Sequence, residues 1–473
     1  MFVGRKKELQ ALKKLIDAKR ANVALVYGRR RIGKSTLVFQ AFKGKSLLVF
    51  EGLEGQSKSA QITNFIQQLA YQRNLSLPSP RPKTWREAFL YLYEELKKEP
   101  AHLFFDEFQW MANYRNKMVS ELKFIWDGYF SKLPGLTLVL CGSIASFLVK
   151  KVLRSRAFYG RTDLVIHLKA FRLSETKKML PNKGIDEIFE AQLTLGGIPK
   201  YIELLQDSPS VQLALEQLAF SPTGYLVEEY GRIFLGHFGK DSVYEAIVAT
   251  LAKNPYGLQR KELAELSSAT LGGTFSERLY ELEAAGLISS STPFHKGLDS
   301  KLQKYFLSDS YLRFYFNFIR PKLKSIRAGV QENIFQKIGQ SAAYKAWLGR
   351  EFECLCINHA KRLTKILEFS GIDFTFGPYF ERSNKAVSGV QIDLLFARAD
   401  NVITLCEMKY TQMPVGKKII AEVERKVEIL QKKFPKHTIQ RVLITRAKPT
   451  KDLLQSGYFY KIIEATELLD DAS

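Results

Sequence analysis

Cysteine and histidine are scarce in the sequence, and their spacing fits no common metal-binding motif. The 473 residues include four cysteines, at positions 141, 354, 356 and 406, with no CxxC pair, and six histidines with no HxxxH pair. Zinc ribbons need closely spaced ligands of this kind, and disulfide frameworks are typical of oxidising compartments. The pattern argues against both and predicts reduced, buried thiols in a cytoplasmic protein.

Long apolar runs and low-complexity tracts are also missing. No apolar run approaches the roughly 18 residues of a membrane-spanning helix. The first residues, MFVGRKKE, become charged at once, unlike the apolar segment of a signal peptide. We therefore expect neither a leader nor a membrane partner.

Acidic residues are the minority among the charged ones. The chain has 71 Lys and Arg against 48 Asp and Glu, a formal net charge of +23. Such an excess favours a polyanionic partner, whether a nucleic acid, a nucleotide or an anionic membrane surface, although a general surplus of surface lysine would look the same. Hydrophobic residues make up 46% and charged residues 25%, which is ordinary for folded domains, and the length suits about two to four of them.

Short apolar runs alternate with helical spacing in the first third of the chain. The runs cover residues 23–27, 103–105 and 136–141, and they are followed by Gly28, by Asp106-Glu107 and by Gly142-Ser143. Buried strands that alternate with amphipathic helices are typical of a parallel sheet in an α/β domain. We therefore predict an α/β core over residues 1–173.

The first of these runs leads into a phosphate-binding loop. Residues 28–35 read GRRRIGKS and fit the pattern GxxxxGK[ST] between a strand and a helix. The glycines let backbone N–H groups surround the phosphates of ATP or ADP, while Lys34 would reach the β- and γ-phosphates and the Ser35 hydroxyl would bind Mg²⁺. The predicted nucleotide contacts are Gly28, Arg29, Arg30, Arg31, Ile32, Gly33, Lys34, Ser35 and Thr36.

Hydrolysis of ATP needs a second set of polar groups, and the next two runs supply candidates. Asp106 would join Ser35 in holding Mg²⁺, and Glu107 would polarise the attacking water. Ser143 follows the third run, where a polar side chain can sense the γ-phosphate. The alternative for the two carboxylates is an ordinary acidic strand end.

Further short motifs accompany the phosphate loop. They are FVGRKKEL at 2–9, FDE at 105–107, CGS at 141–143, YGR at 159–161 and GGIPKY at 196–201. With them, residues 1–320 resemble the archaeal-type P-loop ATPases of the AAA+/STAND group. The resemblance implies that Arg5 flanks the adenine, that Arg161 is an arginine finger or sensor, and that the GGIP motif lies in a helical lid. A solvated surface arginine is the alternative for Arg161.

The middle of the chain is predicted to be mainly helical. Residues 174–235 have helical spacing and form the predicted lid, residues 236–320 have the three helices and extended segment of a winged helix-turn-helix, and residues 321–345 begin with a basic stretch that indicates a linker. The recognition-helix position, 276–283, reads SERLYELE, whereas base readout favours Arg, Lys, Asn or Gln. The sequence therefore favours a packing or relay role over base readout.

A hairpin is predicted within a final α/β segment at residues 346–473. For a turn centred on Asp400, the numbers of paired residues sum to 800, so Asp393 faces Glu407. Glu407 and Lys409 are two residues apart and share a face of the strand. Because facing carboxylates repel unless a cation lies between them, we predict a Mg²⁺ or Mn²⁺ ion there, with Lys409 orienting or deprotonating a water.

The spacing Asp393-x13-Glu407-x-Lys409 resembles the PD-(D/E)xK nuclease pattern. The additional acidic residue that this family carries on a preceding helix corresponds to Glu353, and Ile392 stands where the family has proline. The resemblance implies a nuclease-like domain of the kind that accompanies many archaeal-type ATPases. Active DNA cleavage and a degenerate fold that only binds are both open.

Together these predictions describe an α/β multidomain protein: a P-loop ATPase core with a helical lid, a winged helix, and a C-terminal domain like restriction endonucleases. ATP and Mg²⁺ are the expected cofactors, with Mn²⁺ as an option at the C-terminal site. DNA is the expected partner, and a homo-oligomer stays open. The nucleotide state would control a DNA-binding and DNA-cleaving C-terminal domain; the alternative is a nucleotide-dependent switch or scaffold whose C-terminal fold only binds DNA or a protein.

Overall fold

The structure, a computed structural model, describes residues 2–75, 81–112, 117–143, 160–238, 241–292, 303–330, 332–381 and 390–469. Within these ranges there are two five-stranded sheets and one three-stranded sheet. All four cysteines are unpaired thiols, as the sequence predicted. No helix in the described ranges combines the length and the apolar character that crossing a membrane requires.

The first sheet is parallel and has the strand order β2-β3-β4-β1-β5. Because the strands are parallel, the residues that follow β1, β3 and β4 lie at one edge of the sheet, and β4 lies between the other two. The predicted apolar runs are thus confirmed as neighbouring strands. The strands are β1 (Asn22–Tyr27), β2 (Leu47–Glu51), β3 (His102–Asp106), β4 (Thr137–Gly142) and β5 (Leu164–His167).

Helices cover both faces of this sheet. On one face an aromatic cluster that includes Phe50, Phe65, Trp85 and Phe105 is fully buried. On the other face Leu12 and Leu37 pack into a core that continues into the helices after β5. The helices are α1 (Lys6–Ile16), α2 (Lys34–Ala41), α3 (Lys58–Gln72), α4 (Trp85–Lys98), α5 (Phe108–Met111) and α6 (Met118–Gly128).

The segment after β5 is helical, as the spacing predicted. It contains α7 (Leu173–Met179), α8 (Ile185–Leu195), α9 (Pro199–Glu203), α10 (Val211–Ala219) and α11 (Tyr225–Phe238). Three more helices follow, α12 (Ser242–Lys253), α13 (Arg260–Leu266) and α14 (Gly273–Ala284), with an antiparallel sheet of β6 (Leu258–Gln259), β7 (Ile288–Ser291) and β8 (Lys304–Leu307). The winged-helix interpretation of this part stays a prediction.

The described residues of 321–345, predicted as a linker, are mostly packed helix instead. The aromatic helix α15 (Ser310–Phe314) continues through π and 3-10 turns into α16 (Leu323–Ala328), and α17 (Ile334–Gln340) follows. Pro321 does not end this run because it lies in the first turn of the 3-10 segment, where no intrahelical N–H is needed. Phe335 is buried and stacks on Phe220, so this segment belongs to the helical core.

The second sheet is mixed, in the order β13-β12-β11-β10-β9. The hairpin pairs Leu394 with Cys406 and Ala397 with Ile403, which confirms the predicted register. Leu394 and Cys406 join the core on the side of α18, whereas Leu395 and neighbouring residues join a separate core with α20. The elements are α18 (Ala342–Asn358), α19 (Ala360–Ile366), β9 (Phe374–Glu381), β10 (Val390–Arg398), β11 (Val402–Lys409), α20 (Lys418–Lys433), β12 (Thr438–Thr445), α21 (Lys451–Gln455) and β13 (Lys461–Glu464).

Candidate functional site

The loop between β1 and α2 has the shape that its glycines permit. A Cβ atom on Gly28 would lie 2.5 Å from the carbonyl oxygen of Leu168, and Gly33 has a φ of 85°. The Nζ atom of Lys34 donates to the carbonyl oxygens of Gly28, at 3.2 Å, and Arg29, at 3.1 Å. The ammonium therefore lies inside the loop at the N-terminus of α2, where backbone N–H groups also favour an anion.

A serine and an aspartate meet at the edge of the sheet. The Ser35 Oγ atom donates to Asp106 Oδ2 at 2.6 Å, and the backbone N–H of Glu107 donates to Asp106 Oδ1 at 2.9 Å. A hydroxyl and a carboxylate at this separation are oxygen ligands of the type that Mg²⁺ prefers. Glu51, which pairs with Asp106 across β2 and β3, was missed by sequence reasoning; burial raises its pKa, and Asp106 and Glu107 raise it further.

Glu107 is held by two polar side chains. Its Oε2 atom accepts a hydrogen bond from Ser143 Oγ at 3.1 Å and another from Gln109 Nε2, and Gln109 also donates to Ser143 Oγ at 3.3 Å. The backbone of Glu107 is left-handed, with a φ of 46°, which turns the chain from β3 into α5. The structure thus brings the two predicted residues together. Sequence reasoning missed Gln109, although a polar side chain two residues after Glu107 could have indicated a partner for its carboxylate.

A cavity of about 430 Å³ opens beside the phosphate loop. Its volume lies within the range of small-molecule sites, about 300–1,000 Å³. Gly28 and Arg29 are not among the residues that line it. The lining comprises residues 30–36, which include Arg30, Ile32 and Thr36, together with Phe2, Val3, Arg5, Glu107, Phe171, Met179, Pro199, Lys200 and Glu203.

Arg5 lies at the wall of this cavity and is itself buried. Its Nη2 atom donates to the carbonyl oxygens of Lys169, at 2.5 Å, and Ile32, at 3.4 Å, and its guanidinium lies 4.8 Å from the ring centre of Phe171. Burial lowers the pKa of Arg5, although Glu175 acts in the opposite direction. The side chain therefore ties the N-terminal segment to the phosphate loop and to the chain after β5.

Two of the loop arginines pair with carboxylates from the chain beyond β5. Arg29 Nη2 lies 2.8 Å from Asp309 Oδ2, and Arg31 Nε lies 2.6 Å from Glu229 Oε1, which also accepts from the Tyr201 hydroxyl at 2.6 Å. Burial by itself would lower the pKa of Arg29, but Asp309, Tyr201 and Glu229 outweigh it and the pKa is raised. Arg29 does not line the nucleotide cavity, so the geometry gives its predicted nucleotide contact no support. Arg31 lines the cavity while it pairs with Glu229, and its nucleotide contact stays a prediction.

Arg161 pairs with an aspartate of α6 and is not part of the nucleotide cavity. Its Nε and Nη2 atoms donate to Asp127 of α6 at 2.6 and 3.0 Å, and it does not line the cavity. The Asp127 side chain raises the pKa of Arg161. The geometry within one chain therefore gives no support to a sensor role for Arg161. Tyr159, from the same motif, lies outside the described residues.

In the C-terminal sheet, Glu407 and Lys409 share a face, as predicted, and they face α20. Glu407 is buried, and its carboxylate lies 2.7 Å from Lys426 Nζ and 3.2 Å from Lys409 Nζ. Lys409 also pairs with Glu422 at 2.9 Å. Lysine thus supplies the positive charge beside Glu407, whereas Asp393 accepts a hydrogen bond from Gln391 Nε2 at 3.0 Å.

Glu353 and Asp393 lie close enough to Glu407 to act on one another electrostatically. Burial raises the pKa of Glu353 to about 7, and Asp393 and Glu407 also raise it. Asp393 lies at an irregularity in the pairing of β10 with β9. In the described part of the chain, no three His, Cys, Asp or Glu side chains form a group able to hold a metal ion. One physical reason is that Glu353 belongs to α18, on the opposite face of the sheet from α20.

Two family descriptions match separate parts of the chain. Residues 2–205 match an ATPase domain found predominantly in Archaea. Residues 315–426 match a family described as archaeal and bacterial proteins of unknown function. The match over residues 2–205 agrees with the motifs around the phosphate loop.

Two relatives and one solved structure resemble this chain over different shares of its length. An uncharacterized protein of Methanocaldococcus jannaschii is 24% identical over 451 residues, which cover 91% of this chain and 92% of the relative. An uncharacterized ATP-binding protein of the same organism is 47% identical over 38 residues, 8% of this chain and 64% of that protein. The Walker-type ATPase PABY2304 of Pyrococcus abyssi is 18% identical, with a TM-score of 0.50 over 67% of this chain and 96% of that one, which shows a shared fold.

Proposed function

We propose that residues 2–205 bind ATP together with Mg²⁺ and hydrolyse it in the cavity beside the phosphate loop. The observation that carries this proposal is the 2.6 Å contact between Ser35 and Asp106, next to Lys34 and Glu107. Lys34 and the N-terminus of α2 would stabilise the phosphates, and Ser35 and Asp106 would hold the Mg²⁺ that neutralises the developing charge. Glu107 would polarise the attacking water, with Ser143 and Gln109 fixing its carboxylate.

The adenine has a suitable place in the same cavity. Phe2, Val3, Phe171, Met179 and Pro199 supply apolar surface. Arg5 positions the N-terminal segment there rather than contacting the phosphates, which is consistent with the predicted flanking role. Because Pro199 opens α9, the nucleotide would contact both the core and the predicted lid, and the ATP-binding relative supports this use of the site.

An isosteric change at Asp106 tests the metal part of the proposal. For Asp106→Asn we expect the Mg²⁺ concentration that gives half-maximal ATP hydrolysis to rise about tenfold or more, because the loss of a charge-assisted contact costs about 1.5–3 kcal/mol. Asp17→Asn, at an exposed aspartate paired with Lys45, is the matched control and should behave like the wild type. An unchanged Mg²⁺ dependence of Asp106→Asn would remove Asp106 from the metal site.

The helices after the lid support a packing or relay role rather than base readout. Arg278 of α14 pairs with Asp241 at 2.7 Å, and Glu281 accepts a hydrogen bond from the Tyr244 hydroxyl of α12. These side chains hold α14 against α12 instead of extending from it. We therefore propose residues 236–320 as the winged helix. The helices within 321–345 belong to the helical core on which the winged helix packs.

We also propose that the nucleotide state controls a C-terminal domain, residues 346–473, that binds nucleic acid. Residues 346–473 carry 20 Lys and Arg against 16 Asp and Glu, so they contribute +4 to the net charge of +23, an excess of the sign that attracts a polyanionic partner. Metal-dependent DNA cleavage is a second candidate, supported by the electrostatic influence of Asp393 and Glu407 on Glu353. The lysine contacts of Glu407 instead support the alternative of a fold that only binds.

Melting temperature with Mn²⁺ separates these two candidates. If the cluster binds metal, Mn²⁺ at about 100 times its Kd stabilises the wild-type domain by about 2.7 kcal/mol, and the melting temperature rises. Asp393→Asn and Glu407→Gln lose that rise, Lys409→Ala keeps it but loses DNA cleavage, and Asp400→Asn at the hairpin turn is the control. No Mn²⁺ effect on the wild type ends the nuclease candidate and leaves the ATPase proposal untouched.

A further inference from the structure

A second and larger cavity, of about 810 Å³, lies next to the nucleotide cavity. Four parts of the chain surround it: the segment after β5 at 167–172, helix α8 and the turn after it at 192–198, the segment at 308–313, and helices α18 and α19 at 351–365. Ile32 and Phe171 line both cavities and so form a shared wall. The phosphate loop therefore has one cavity on each side of Ile32.

The lining of the larger cavity is strongly positive. It includes eight lysines and arginines but only two carboxylates, Asp309 and Glu351. Both carboxylates are already paired, Asp309 with Arg29 at 2.8 Å and Glu351 with Arg313 at 2.6 Å. Six cations stay without a carboxylate partner anywhere in the described ranges, namely Lys7, Lys169, Arg172, Lys361, Arg362 and Lys365.

Neighbouring groups respond to this excess of positive charge. Burial lowers the pKa of His359, and the nearby Arg172 and Arg362 lower it further. Burial also lowers the pKa of Lys169, and His167 has a pKa lowered to about 4 by burial and by Lys169. Positive charge among these side chains is thus disfavoured by burial and by neighbouring cations, and an anion that binds among them would stabilise it.

We infer that this cavity binds a small ligand with two or more phosphate groups. Six unpaired cations exceed what a single phosphate can neutralise, and the volume lies in the range of small-molecule sites, about 300–1,000 Å³. The shared chemistry is that of a phosphate chain, carried either by a nucleotide or by an inorganic polyphosphate.

The position of this site gives it a route to the ATPase site. Arg29 lines the larger cavity and belongs to the phosphate loop, and its partner Asp309 comes from the segment before α15. A polyanion among the six cations would compete with Asp309 for Arg29 and would press on Ile32 in the shared wall. Ligand binding in the larger cavity should therefore change the affinity of the phosphate loop for nucleotide, and the reverse holds by linkage.

Calorimetric titration of the full chain with tripolyphosphate, ATP and a short single-stranded DNA tests this site. Lys34→Ala serves as the background because it weakens the proposed ATP site without touching the six cations. We expect tripolyphosphate to bind to this variant, and adding Lys361→Ala and Lys365→Ala to weaken binding about tenfold or more. Both lysines are exposed, so these changes should leave the fold intact, and Lys345→Ala on α18 is the matched control.

Each outcome of this titration supports or contradicts the inferred phosphate site. Tighter binding of ATP than of tripolyphosphate to the Lys34→Ala background identifies a nucleotide site, and equal binding identifies a site for the phosphate chain alone. The inference fails if neither ligand binds below about 1 mM, if the double lysine change has no effect, or if only DNA binds. Failure of the ATPase proposal is distinguishable, because it appears as equal ATP binding by wild type and Lys34→Ala while the lysine-dependent site is still present.

Discussion

Glu107→Gln slows ATP turnover by about 10²–10⁴-fold, the usual loss when a general base is removed, while ATP stays bound. The amide fills the same space and can keep its hydrogen bonds with Ser143 and Gln109, but it cannot accept the proton of the attacking water. Single-turnover hydrolysis and a separate ATP titration measure the two quantities independently. The combination of normal affinity and slow chemistry distinguishes a catalytic base from a residue that only shapes the site.

Glu94→Gln is the control for this prediction. Glu94 is an exposed glutamate of α4 that pairs with Lys97 on the same helix, so its substitution should change neither ATP affinity nor turnover. Turnover of Glu107→Gln at the wild-type rate would show that another group activates the water. A parallel loss of ATP affinity would instead indicate that the cavity was disturbed.

Lys34→Ala abolishes measurable nucleotide binding at the phosphate loop, the second large effect that we expect; any binding that remains should depend on Lys361 and Lys365 of the larger cavity. The Lys34 ammonium lies among the loop carbonyls and is buried, so it acts on the phosphates at close range in a region of low water access. Even one charge-assisted hydrogen bond contributes about 1.5–3 kcal/mol, a loss of roughly 10- to 100-fold in affinity, and Lys34 would contact two phosphates. Direct titration with ATP and with ADP measures the loss.

The fold should survive this substitution. The carbonyl groups of Gly28 and Arg29 that accept from Lys34 lie next to the nucleotide cavity, where water can replace the ammonium. Circular dichroism should therefore match the wild type, and Lys13→Ala at an exposed position of α1 should bind ATP normally. Unchanged ATP affinity in Lys34→Ala would refute the assignment of the loop as the phosphate site.

Sequence reasoning was most successful where a feature depends on residues close together in the chain. The phosphate loop and the strand before it form one contiguous segment, so their pattern predicted their structure. The hairpin was predicted to the residue, with Leu394 opposite Cys406, because a short turn leaves little freedom in register. The linker prediction failed because a basic stretch was taken as exposed, although Phe335 and its neighbours pack into the core.

The sequence by itself therefore determined the α/β character of the N-terminal part, the residues at the ends of its strands, and the hairpin register that pairs Leu394 with Cys406. Only the tertiary structure decided where long charged side chains extend. Arg29 pairs with Asp309 and Arg31 with Glu229 because the fold buries these carboxylates, from distant parts of the chain, beside the phosphate loop. The same physical reason, that a buried charge takes whichever partner the fold brings near, gave Glu407 the lysine of α20. The fold likewise decided that six cations around the larger cavity have no carboxylate partner within the described ranges.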